Sequence, residues 1–195
     1  MIYSVTKFIV WIYLRLIVGF QIKGQEHIPA HGPVIVVANH VSNLDPPAVA
    51  VACPRPVCFM AKHELFINPL LAWFFRALGA FPIKRHTPDR AAFKQALNIL
   101  RSGRVLGMFP EGTRSKSGQL GPAEQGAAVL ALRTQATLIP AGVRIKGIKG
   151  NRSEVKFGPP VPWQDLDPKD RLSARVLADR IMVHITALLD DGSES

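Results

Sequence analysis

Acidic residues and cysteines are both scarce in this sequence of 195 residues, and each shortage excludes a class of protein. Only 14 Asp and Glu oppose 24 Lys and Arg, which leaves a formal net charge of +10. This excess of cations favours a partner rich in phosphate, such as nucleic acid, an anionic membrane surface or a phosphorylated substrate. The two cysteines, Cys53 and Cys58, fit no zinc-site spacing and do not form the framework of a secreted disulfide protein, so we predict reduced, buried thiols.

Several catalytic motifs are missing as well. No Gly-x-Ser-x-Gly elbow occurs, which argues against a serine hydrolase. The run from Ser115 to Gly118 lacks the Gly-x4-Gly-Lys-Ser/Thr order of a phosphate-binding loop, so nucleotide hydrolysis is not expected. The aromatic residues lie in apolar runs rather than among the basic residues, so the sequence offers no platform for stacking bases. We therefore predict no nucleic-acid partner.

No apolar run is long enough to cross a bilayer, which takes about 20 residues. The most apolar segment, residues 1–20, is interrupted by Lys7 and Arg15, and it has no signal-peptide cleavage site. This segment is either a helix lying in one leaflet or an ordinary helix that covers the core. Its narrow polar face and its Trp11 favour the leaflet, with Lys7 and Arg15 reaching lipid phosphates. We therefore predict a membrane-associating helix over residues 1–22 and an α/β domain over residues 23–195.

The rest of the chain alternates between apolar β-branched runs and amphipathic segments. This alternation predicts a single α/β domain with a largely parallel or mixed sheet flanked by helices. A helix over 69–78 is apolar nearly all round, so it belongs either to the deep core or to a membrane surface. The last helix, over 172–189, is expected to turn Leu172, Val176, Ile181, Ile185 and Leu188 inward. Strands are predicted over 34–38, 57–61, 79–85, 104–109, 138–143 and 155–157, further helices over 46–53 and 122–134 and from a Thr87 cap to Gly103, and a polar connection over 21–33.

The stretch Asn39-His40-Val41-Ser42-Asn43-Leu44-Asp45-Pro46 joins the first of these strands to a helix. His40 leaves the strand, and an Asp followed by proline is typical of a helix start, where Asp45 caps the first turn. On one continuous helix the two side chains would point about 140° apart, whereas a strand-loop-helix can fold the carboxylate back onto the imidazole. The pattern therefore predicts a general base, His40, and an orienting carboxylate, Asp45.

Two further polar segments accompany this pair. The strand over 79–85 ends in Lys84 and Arg85, and the strand over 104–109 leads into Pro110-Glu111-Gly112-Thr113-Arg114-Ser115. A polar loop with glycine beside a strand end is where a sheet protein usually places a ligand. A metal site that combines His63 and Glu64 with His40 is not expected, because adjacent residues on a strand point to opposite faces and the ligand spacing is missing.

Together, four ordered blocks resemble the 1-acylglycerol-3-phosphate acyltransferase family, also called the lysophosphatidate acyltransferases. The blocks are Asn-His-x-Ser-x-x-Asp ending at Asp45, residues 79–85, Phe-Pro-Glu-Gly-Thr-Arg-Ser beginning at Phe109, and Ile139-Pro140. The resemblance covers residues 34–143. One departure is that Lys84 precedes Arg85, where the family usually has an acid, and this adds positive charge and leaves the acceptor headgroup open.

The resemblance implies acyl transfer from acyl-CoA or acyl carrier protein to the sn-2 hydroxyl of a lysophospholipid, in phospholipid biosynthesis. It also implies association with a membrane, which we expect to be the cytoplasmic face of the cell membrane, and no metal or cofactor beyond the acyl carrier. His40 would be the base that Asp45 orients, and Glu111 would orient Arg114 or contact a glycerol hydroxyl. The residues expected to bind substrate are Lys84, Arg85, Glu111, Gly112, Thr113 and Arg114, with the arginine forks on the acceptor phosphate.

Other chemistries remain open at this point. A covalent route through Ser42 requires that serine to lie within hydrogen-bond reach of the base, whereas its position in the bend predicts a turn residue that bonds the backbone. A thioesterase or lipase could use the same His40 and Asp45 on water. An acyltransferase acting on another lysolipid is a third alternative. A non-enzymatic binder of anionic lipids would explain the charge alone.

Overall fold

Seven β-strands form one sheet in the computed structural model, which describes residues 2–84, 89–115, 120–145 and 153–190. They are β1 (Phe20–Lys23), β2 (Val34–Ala38), β3 (Val57–Lys62), β4 (Phe81–Ile83), β5 (Val105–Met108), β6 (Thr137–Arg144) and β7 (Ser153–Phe157). Across the sheet the order is β1-β7-β6-β2-β5-β3-β4. β6 and β7 are antiparallel, and the other neighbouring pairs are parallel. The predicted α/β class with a largely parallel, mixed sheet is therefore confirmed.

Helices cover both faces of this sheet. They are α1 (Ile2–Tyr13), α2 (Asp45–Ala52), α3 (Pro69–Ala77), α4 (Arg90–Arg101), α5 (Gly126–Thr134) and α6 (Arg171–Asp190). α1 continues into a π-helical segment, Leu14–Val18, and short 3₁₀ turns cover Gln25–His27 and His63–Phe66. The π-helical segment and α2 pack on one face, whereas α4, α5 and α6 pack on the other. Among the helices of the described ranges, none is long and apolar enough to cross a membrane.

The central strand β2 is buried on both sides, which explains its uninterrupted apolar sequence. Ile35 and Val37 face the layer of α4, α5 and α6, while Val34 and Val36 face α2. A parallel strand covered on both faces is expected to read as such a run. The thiols of Cys53 and Cys58 are free and buried, as predicted, and burial raises the pKa of each.

The N-terminal segment is built into the domain more deeply than the sequence predicted. Leu14 and Val18 lie in the core, and Phe20 begins β1, which pairs in parallel with β7. The prediction of a polar connection over 21–33 was therefore wrong for residues 21–23, whereas residues 24–33 do connect β1 to β2. A strand of four residues with exposed alternate positions carries little apolar signal, so only its pairing with β7 reveals it. This strand also crosses the boundary that we expected between residues 22 and 23.

Two helices begin later than predicted. α4 begins at Arg90, with Asp89 as its N-cap accepting a hydrogen bond from the Ala92 N–H at 2.9 Å. The expected cap, Thr87, lies outside the described residues. α5 begins at Gly126 instead of residue 122, because the segment before it is tied to the loop after β5: the Glu124 N–H donates to the Pro110 carbonyl oxygen at 2.7 Å.

The last helix, α6, buries a different stripe at its N-terminal end from the predicted one. Leu172 and Val176 were expected inside, but they are 66% and 44% exposed. Ala174 and Ala178 are buried in their place, because the inner side of the first turns holds small side chains against the core. The rest of the predicted inner stripe is confirmed: Ile181, Ile185 and Leu188 are buried.

α3 lies at the surface of the domain. Of its residues only Ala72 is buried, so the alternative of a deep core helix was wrong. Asn68 caps it by accepting hydrogen bonds from the Leu70 and Leu71 N–H groups at 2.9 and 3.2 Å. Leu70, Leu71 and Trp73 are consequently exposed, whereas Phe74 and Phe75 are half-buried.

The parallel strands β2 to β6 all end at one edge of the sheet, which we call the carboxyl edge. His40 follows β2, Lys84 follows β4 and Glu111 follows β5. In open α/β sheets this edge is where ligands bind. The fold therefore brings the polar segments singled out in the sequence to the same side of the molecule.

Candidate active site

The imidazole of His40 and the carboxylate of Asp45 meet across the loop between β2 and α2. His40 Nδ1 lies 2.9 Å from Asp45 Oδ2, and the two residues are 7% and 0% exposed. The predicted contact is confirmed, because the strand ends just before His40 and the helix begins at Asp45. With Nδ1 engaged, Nε2 is the ring nitrogen available to exchange a proton.

Asp45 holds the loop as well as the imidazole. Its Oδ2 also accepts hydrogen bonds from the backbone N–H groups of Val41 and Ser42, both at 2.7 Å. The expectation that Asp45 caps the helix was wrong: Leu44 occupies the N-cap position and makes no side-chain cap bond. The two prolines that follow Asp45 have no N–H groups, so the first turn of α2 has fewer donors to satisfy. The carboxylate is thereby left to organise the loop.

Asn39, which sequence reasoning missed, determines where the chain leaves the sheet. Its Nδ2 donates to the Val143 carbonyl oxygen at 2.9 Å, and its Oδ1 accepts from the Val143 N–H at 2.7 Å. The side-chain amide thus replaces a backbone partner for Val143 at the end of β6. This lets the main chain turn away from β2 toward His40. The available signal was a polar residue directly after a buried strand.

Glu111 joins the loop between β2 and α2 to its own connection between β5 and α5 at the carboxyl edge. Its Oε1 accepts from the His40 N–H at 3.1 Å, and its Oε2 accepts from the Gly121 N–H at 3.2 Å. Sequence reasoning expected this carboxylate to orient Arg114 or to contact substrate. In the structure it supports the backbone of His40, and Arg114 Nη1 donates to Asn43 Oδ1 at 2.9 Å instead.

The rest of the loop after β5 turns back toward the same site. Gly112 has φ +68°, a left-handed conformation that glycine adopts without strain, and its N–H donates to the Phe109 carbonyl oxygen at 3.0 Å. The Ser115 N–H then donates to the His40 carbonyl oxygen at 2.9 Å. Thr113 and Arg114 between them are exposed. The turn therefore presents a hydroxyl and a guanidinium beside the His40 loop.

An aromatic ring supports the imidazole from one side. The Phe109 ring lies 4.2 Å from the His40 ring, centroid to centroid, with 22° between the planes. Behind it, the Phe59 ring lies 6.0 Å from Phe109 at 14°. Sequence reasoning found Phe109 only as part of a block and did not find Phe59, whose position depends on the pairing of β3 with β5.

Of the two predicted cations after β4, the structure describes one. Lys84 is exposed at the end of that strand, and its N–H donates to Asp89 Oδ2 at 2.9 Å. Arg85 lies outside the described residues. Lys84 thus lies at the carboxyl edge, two strands away from β5 in the sheet.

Known proteins of one family resemble this chain in sequence. Residues 19–144 match the family model described as Acyltransferase. The 1-acyl-sn-glycerol-3-phosphate acyltransferase of Streptococcus pneumoniae is 35% identical over 161 residues, which are 79% of this chain and 60% of that protein. The Bacillus subtilis protein of the same name is 28% identical over 172 residues, which are 84% of this chain and 85% of that one.

A solved structure shares the fold. The crystal structure of the 1-acyl-sn-glycerophosphate (LPA) acyltransferase PlsC from Thermotoga maritima aligns with a TM-score of 0.71 and 26% identity, over 90% of this chain and 73% of that one. The family match spans well over half of this chain. It includes both loops that meet at His40 and the strands that carry them. On this evidence the chain belongs to the acyltransferase family.

Proposed function

We propose that this protein transfers a fatty acyl group from acyl-CoA or acyl carrier protein to the sn-2 hydroxyl of 1-acylglycerol-3-phosphate, forming phosphatidate. The observation that carries the proposal is the 2.9 Å contact between His40 Nδ1 and the buried carboxylate of Asp45. Such a pair supplies a general base without a protein nucleophile. The names of the pneumococcal, Bacillus and Thermotoga proteins support the acceptor class.

In this reaction His40 acts on the acceptor. Nε2 removes the hydroxyl proton as the oxygen attacks the thioester carbonyl, while Asp45 holds the Nδ1–H and stabilises the imidazolium that results. A C–O bond forms, the tetrahedral intermediate collapses, and the C–S bond breaks. The departing thiolate leaves readily and takes its proton from the imidazolium or from solvent. These steps require neither a metal nor a cofactor.

Direct attack is favoured over an acyl-serine route by the position of Ser42. Its Oγ accepts a hydrogen bond from the Leu44 N–H at 3.1 Å, which is the turn contact that we predicted. A serine nucleophile would also have to donate its hydroxyl proton to the base, and among the described residues no hydrogen bond joins Ser42 Oγ to His40. We therefore assign the nucleophile to the acceptor hydroxyl.

The first test is an assay of the purified protein with lysophosphatidate and an acyl thioester, reading phosphatidate and free thiol separately. We expect both products in equal amounts, and His40→Ala should lower the rate by about 10²- to 10⁴-fold, the usual contribution of a general base. Thiol release without phosphatidate would identify a thioesterase. Near-normal turnover in a folded His40→Ala protein would contradict the mechanism.

The acceptor phosphate is assigned to Arg114, with Lys84 and Arg85 as further cations. Arg114 is exposed, and its bond to Asn43 Oδ1 holds it beside the His40 loop. A guanidinium can bind a phosphate through two parallel hydrogen bonds, whereas an ammonium cannot. Arg114→Ala should therefore raise KM for lysophosphatidate more than KM for the acyl donor, and Arg114→Lys should recover only part of the loss.

Arg175→Ala, an exposed arginine of α6, is the matched control and should leave both KM values unchanged. Equal use of lysophosphatidate and of a monoacylglycerol without phosphate by the wild type would contradict the assignment to Arg114.

We also propose that the protein is monotopic and binds the cytoplasmic face of the cell membrane through residues 1–22. α1 contains no buried residue. Lys7 and Arg15, which we expected to reach lipid phosphates, donate to the carbonyl oxygens of Cys53 and Phe20 at 2.6 and 3.1 Å instead. Apolar side chains are therefore the proposed contact with lipid. The exposed ones on α1 and the π-helical segment are Val5, Phe8, Ile9, Trp11, Tyr13 and Leu16.

α3 is proposed to extend this membrane surface. The steps from β2 to β3 and from β3 to β4 run in the same direction along the sheet. Because crossover connections are right-handed, α2 and α3 lie on the same face, and α1 packs against α2. The exposed apolar side chains of α1 and α3 thus lie on the same face of the sheet. The exposed large side chains here are Leu70, Leu71 and Trp73 of α3 and Ile67 just before it.

Binding to vesicles of phosphatidylcholine with phosphatidylglycerol tests the membrane proposal. Substitution is preferable to deletion of residues 1–20, since Leu14 and Val18 belong to the core. The pairs Phe8→Gln with Leu16→Gln, and Leu70→Gln with Trp73→Gln, should each weaken binding at high salt. The control pair, Leu172→Gln with Val183→Gln, removes equally exposed side chains from α6 and should not. Wild-type binding by the first pair would contradict the role of α1.

A further inference from the structure

Three nearly parallel rings, those of Phe59, Phe109 and His40, form a series that leads from β3 to the imidazole. The Phe109 ring lies 4.2 Å from the imidazole, and the Phe59 ring lies 6.0 Å from Phe109. Both phenylalanines are half-buried on the face of the sheet that α2 covers. Aromatic rings at such separations attract one another in offset arrangements. The position of Phe59 therefore bears on the position of the imidazole.

A glycine makes room for the first ring of this series. Gly107 of β5 is the ladder partner of Phe59 in β3. A Cβ atom on Gly107 would lie 2.2 Å from Phe59 Cε1 and 2.7 Å from both Cδ1 and Cζ. These distances are far below van der Waals contact. The Phe59 ring can lie across the β5 backbone only because residue 107 has no side chain.

The imidazole needs such support. The bond from Nδ1 to Asp45 holds one edge of the ring, but a single contact leaves the ring free to tilt about it. A flat ring against the imidazole face removes this freedom and fixes the direction of Nε2. The face of an aromatic ring also stabilises a cation above it, which the imidazole becomes when it accepts a proton.

We propose that Gly107 and Phe59 are positioning residues for His40, acting through Phe109. Gly107 provides the space, Phe59 fills it and supports Phe109, and Phe109 holds the imidazole in the plane in which Nδ1 meets Asp45. The inference rests on the proposed function, because it assigns these residues to the base of that reaction.

The test compares Gly107→Ala, Phe59→Leu and the double variant. Gly107→Ala should lower kcat by about 10²-fold with little change in either KM, because a small displacement of a catalytic group costs that much. Phe59→Leu, which removes the flat ring, should lower kcat less. In the double variant the leucine leaves space for the new methyl group, so kcat should recover relative to Gly107→Ala, a coupling that independent sites do not show.

Gly126→Ala is the matched control. A Cβ there would lie 3.6 Å from Met108 Cε, an ordinary contact, so this variant should keep the wild-type kcat. Thermal unfolding of each variant establishes that it is folded before kinetics are compared.

Nitrogen-15 NMR of the His40 imidazole supplies a readout that does not depend on activity. The wild type should show one neutral tautomer with its proton on Nδ1, whereas Gly107→Ala should show exchange between tautomers. A folded Gly107→Ala with normal kcat, or with a loss confined to KM, overturns the inference.

If Gly107→Ala fails to fold, Phe59→Leu decides the question. A lower kcat at unchanged KM with an altered imidazole signal supports the inference, and wild-type values overturn it. An inactive wild type would refute the proposed function instead, while the imidazole signal would still report on the positioning of His40.

Discussion

Two aspartates of this protein contact side-chain nitrogen atoms at almost the same distance, but one aspartate is buried and the other is exposed. Asp45 is fully buried and lies 2.9 Å from His40 Nδ1. Asp165 has a side chain that is 60% exposed, and its two oxygens lie 2.8 and 2.9 Å from the nitrogens of Arg180. The two pairs do not differ in contact length. They differ in burial and in the number of further hydrogen-bond donors to the aspartate.

The comparison shows what a buried pair can do that an exposed pair cannot. Arg180 lowers the pKa of Asp165 from 3.8 to about 2, mainly through its hydrogen bonds, yet water screens the pair and surface ion pairs contribute little to stability. Asp45 has exchanged water for two backbone N–H groups and an imidazole. Because those partners are held by the fold, the imidazole is oriented before substrate arrives.

The largest expected effect on activity comes from removing the charge of the buried aspartate, Asp45. Asp45→Asn should lower kcat by about 10²- to 10⁴-fold, because the amide oxygen can still accept the loop bonds but carries no charge to stabilise the imidazolium. Asp45 Oδ1 has no hydrogen-bond partner among the described residues, so the amide NH₂ can take that position without breaking a contact. Steady-state kinetics with a thermal unfolding scan would measure both effects.

A folded Asp45→Asn protein with nearly normal kcat would contradict this role. Asp45 would then stabilise only the loop between β2 and α2, and its burial would have no effect on catalysis.

A smaller effect is expected at Glu111, whose half-buried carboxylate is intermediate between the two aspartates. Its two oxygens accept from two different N–H groups, those of His40 and Gly121. A glutamine has only one acceptor oxygen, so Glu111→Gln should lose one of these bonds and about 1–2 kcal/mol of stability. Loosening the His40 loop should lower kcat by roughly tenfold.

Glu124→Gln, which changes an exposed acid of the same connection between β5 and α5, is the control and should change neither quantity. If the loss in Glu111→Gln lay in KM for the acceptor while stability stayed constant, Glu111 would bind substrate, as the sequence suggested.

The smallest effect is expected at the exposed pair. Asp165 has a folded-state pKa of about 2, below its ordinary 3.8, so its contribution to stability is complete above about pH 4 and is lost as the pH falls toward 2. Asp165→Asn should therefore leave kcat and the unfolding temperature at pH 7 nearly unchanged. It should also reduce the part of acid destabilisation that falls between pH 4 and 2, measured by unfolding at several pH values. A marked loss of activity in Asp165→Asn would show that an exposed aspartate is as important for catalysis as the buried Asp45.

The contact between His40 and Asp45 could be predicted because its determinants are local. His40 and Asp45 are five residues apart, and an apolar β-branched run before them and prolines after them specify strand, loop and helix. The same reasoning placed six of the seven strands to within a few residues. It failed at β1, where the alternation of apolar and polar residues covers only four positions and the strand exists through its pairing with β7.

Local reasoning also misjudged what the carboxylates bind. An Asp before prolines predicts a helix cap, but the N–H groups three and four residues earlier in the loop offer the carboxylate better partners than a helix turn that begins with prolines. Glu111 was predicted to orient its neighbour Arg114 or to contact a glycerol hydroxyl. In the structure its carboxylate accepts from the backbone of Gly121 and from that of His40, which is 71 residues away.

The fold class and the contact between His40 and Asp45 follow from local sequence, since hydrophobic periodicity and turn chemistry act over a few residues. The groups that hold this pair in place depend instead on long-range packing. Asn39 bonds Val143 across 104 residues, and Phe59 lies over Gly107 because two strands distant in the chain are neighbours in the sheet. Contacts of this kind depend on strand order and register, which no short stretch of sequence specifies.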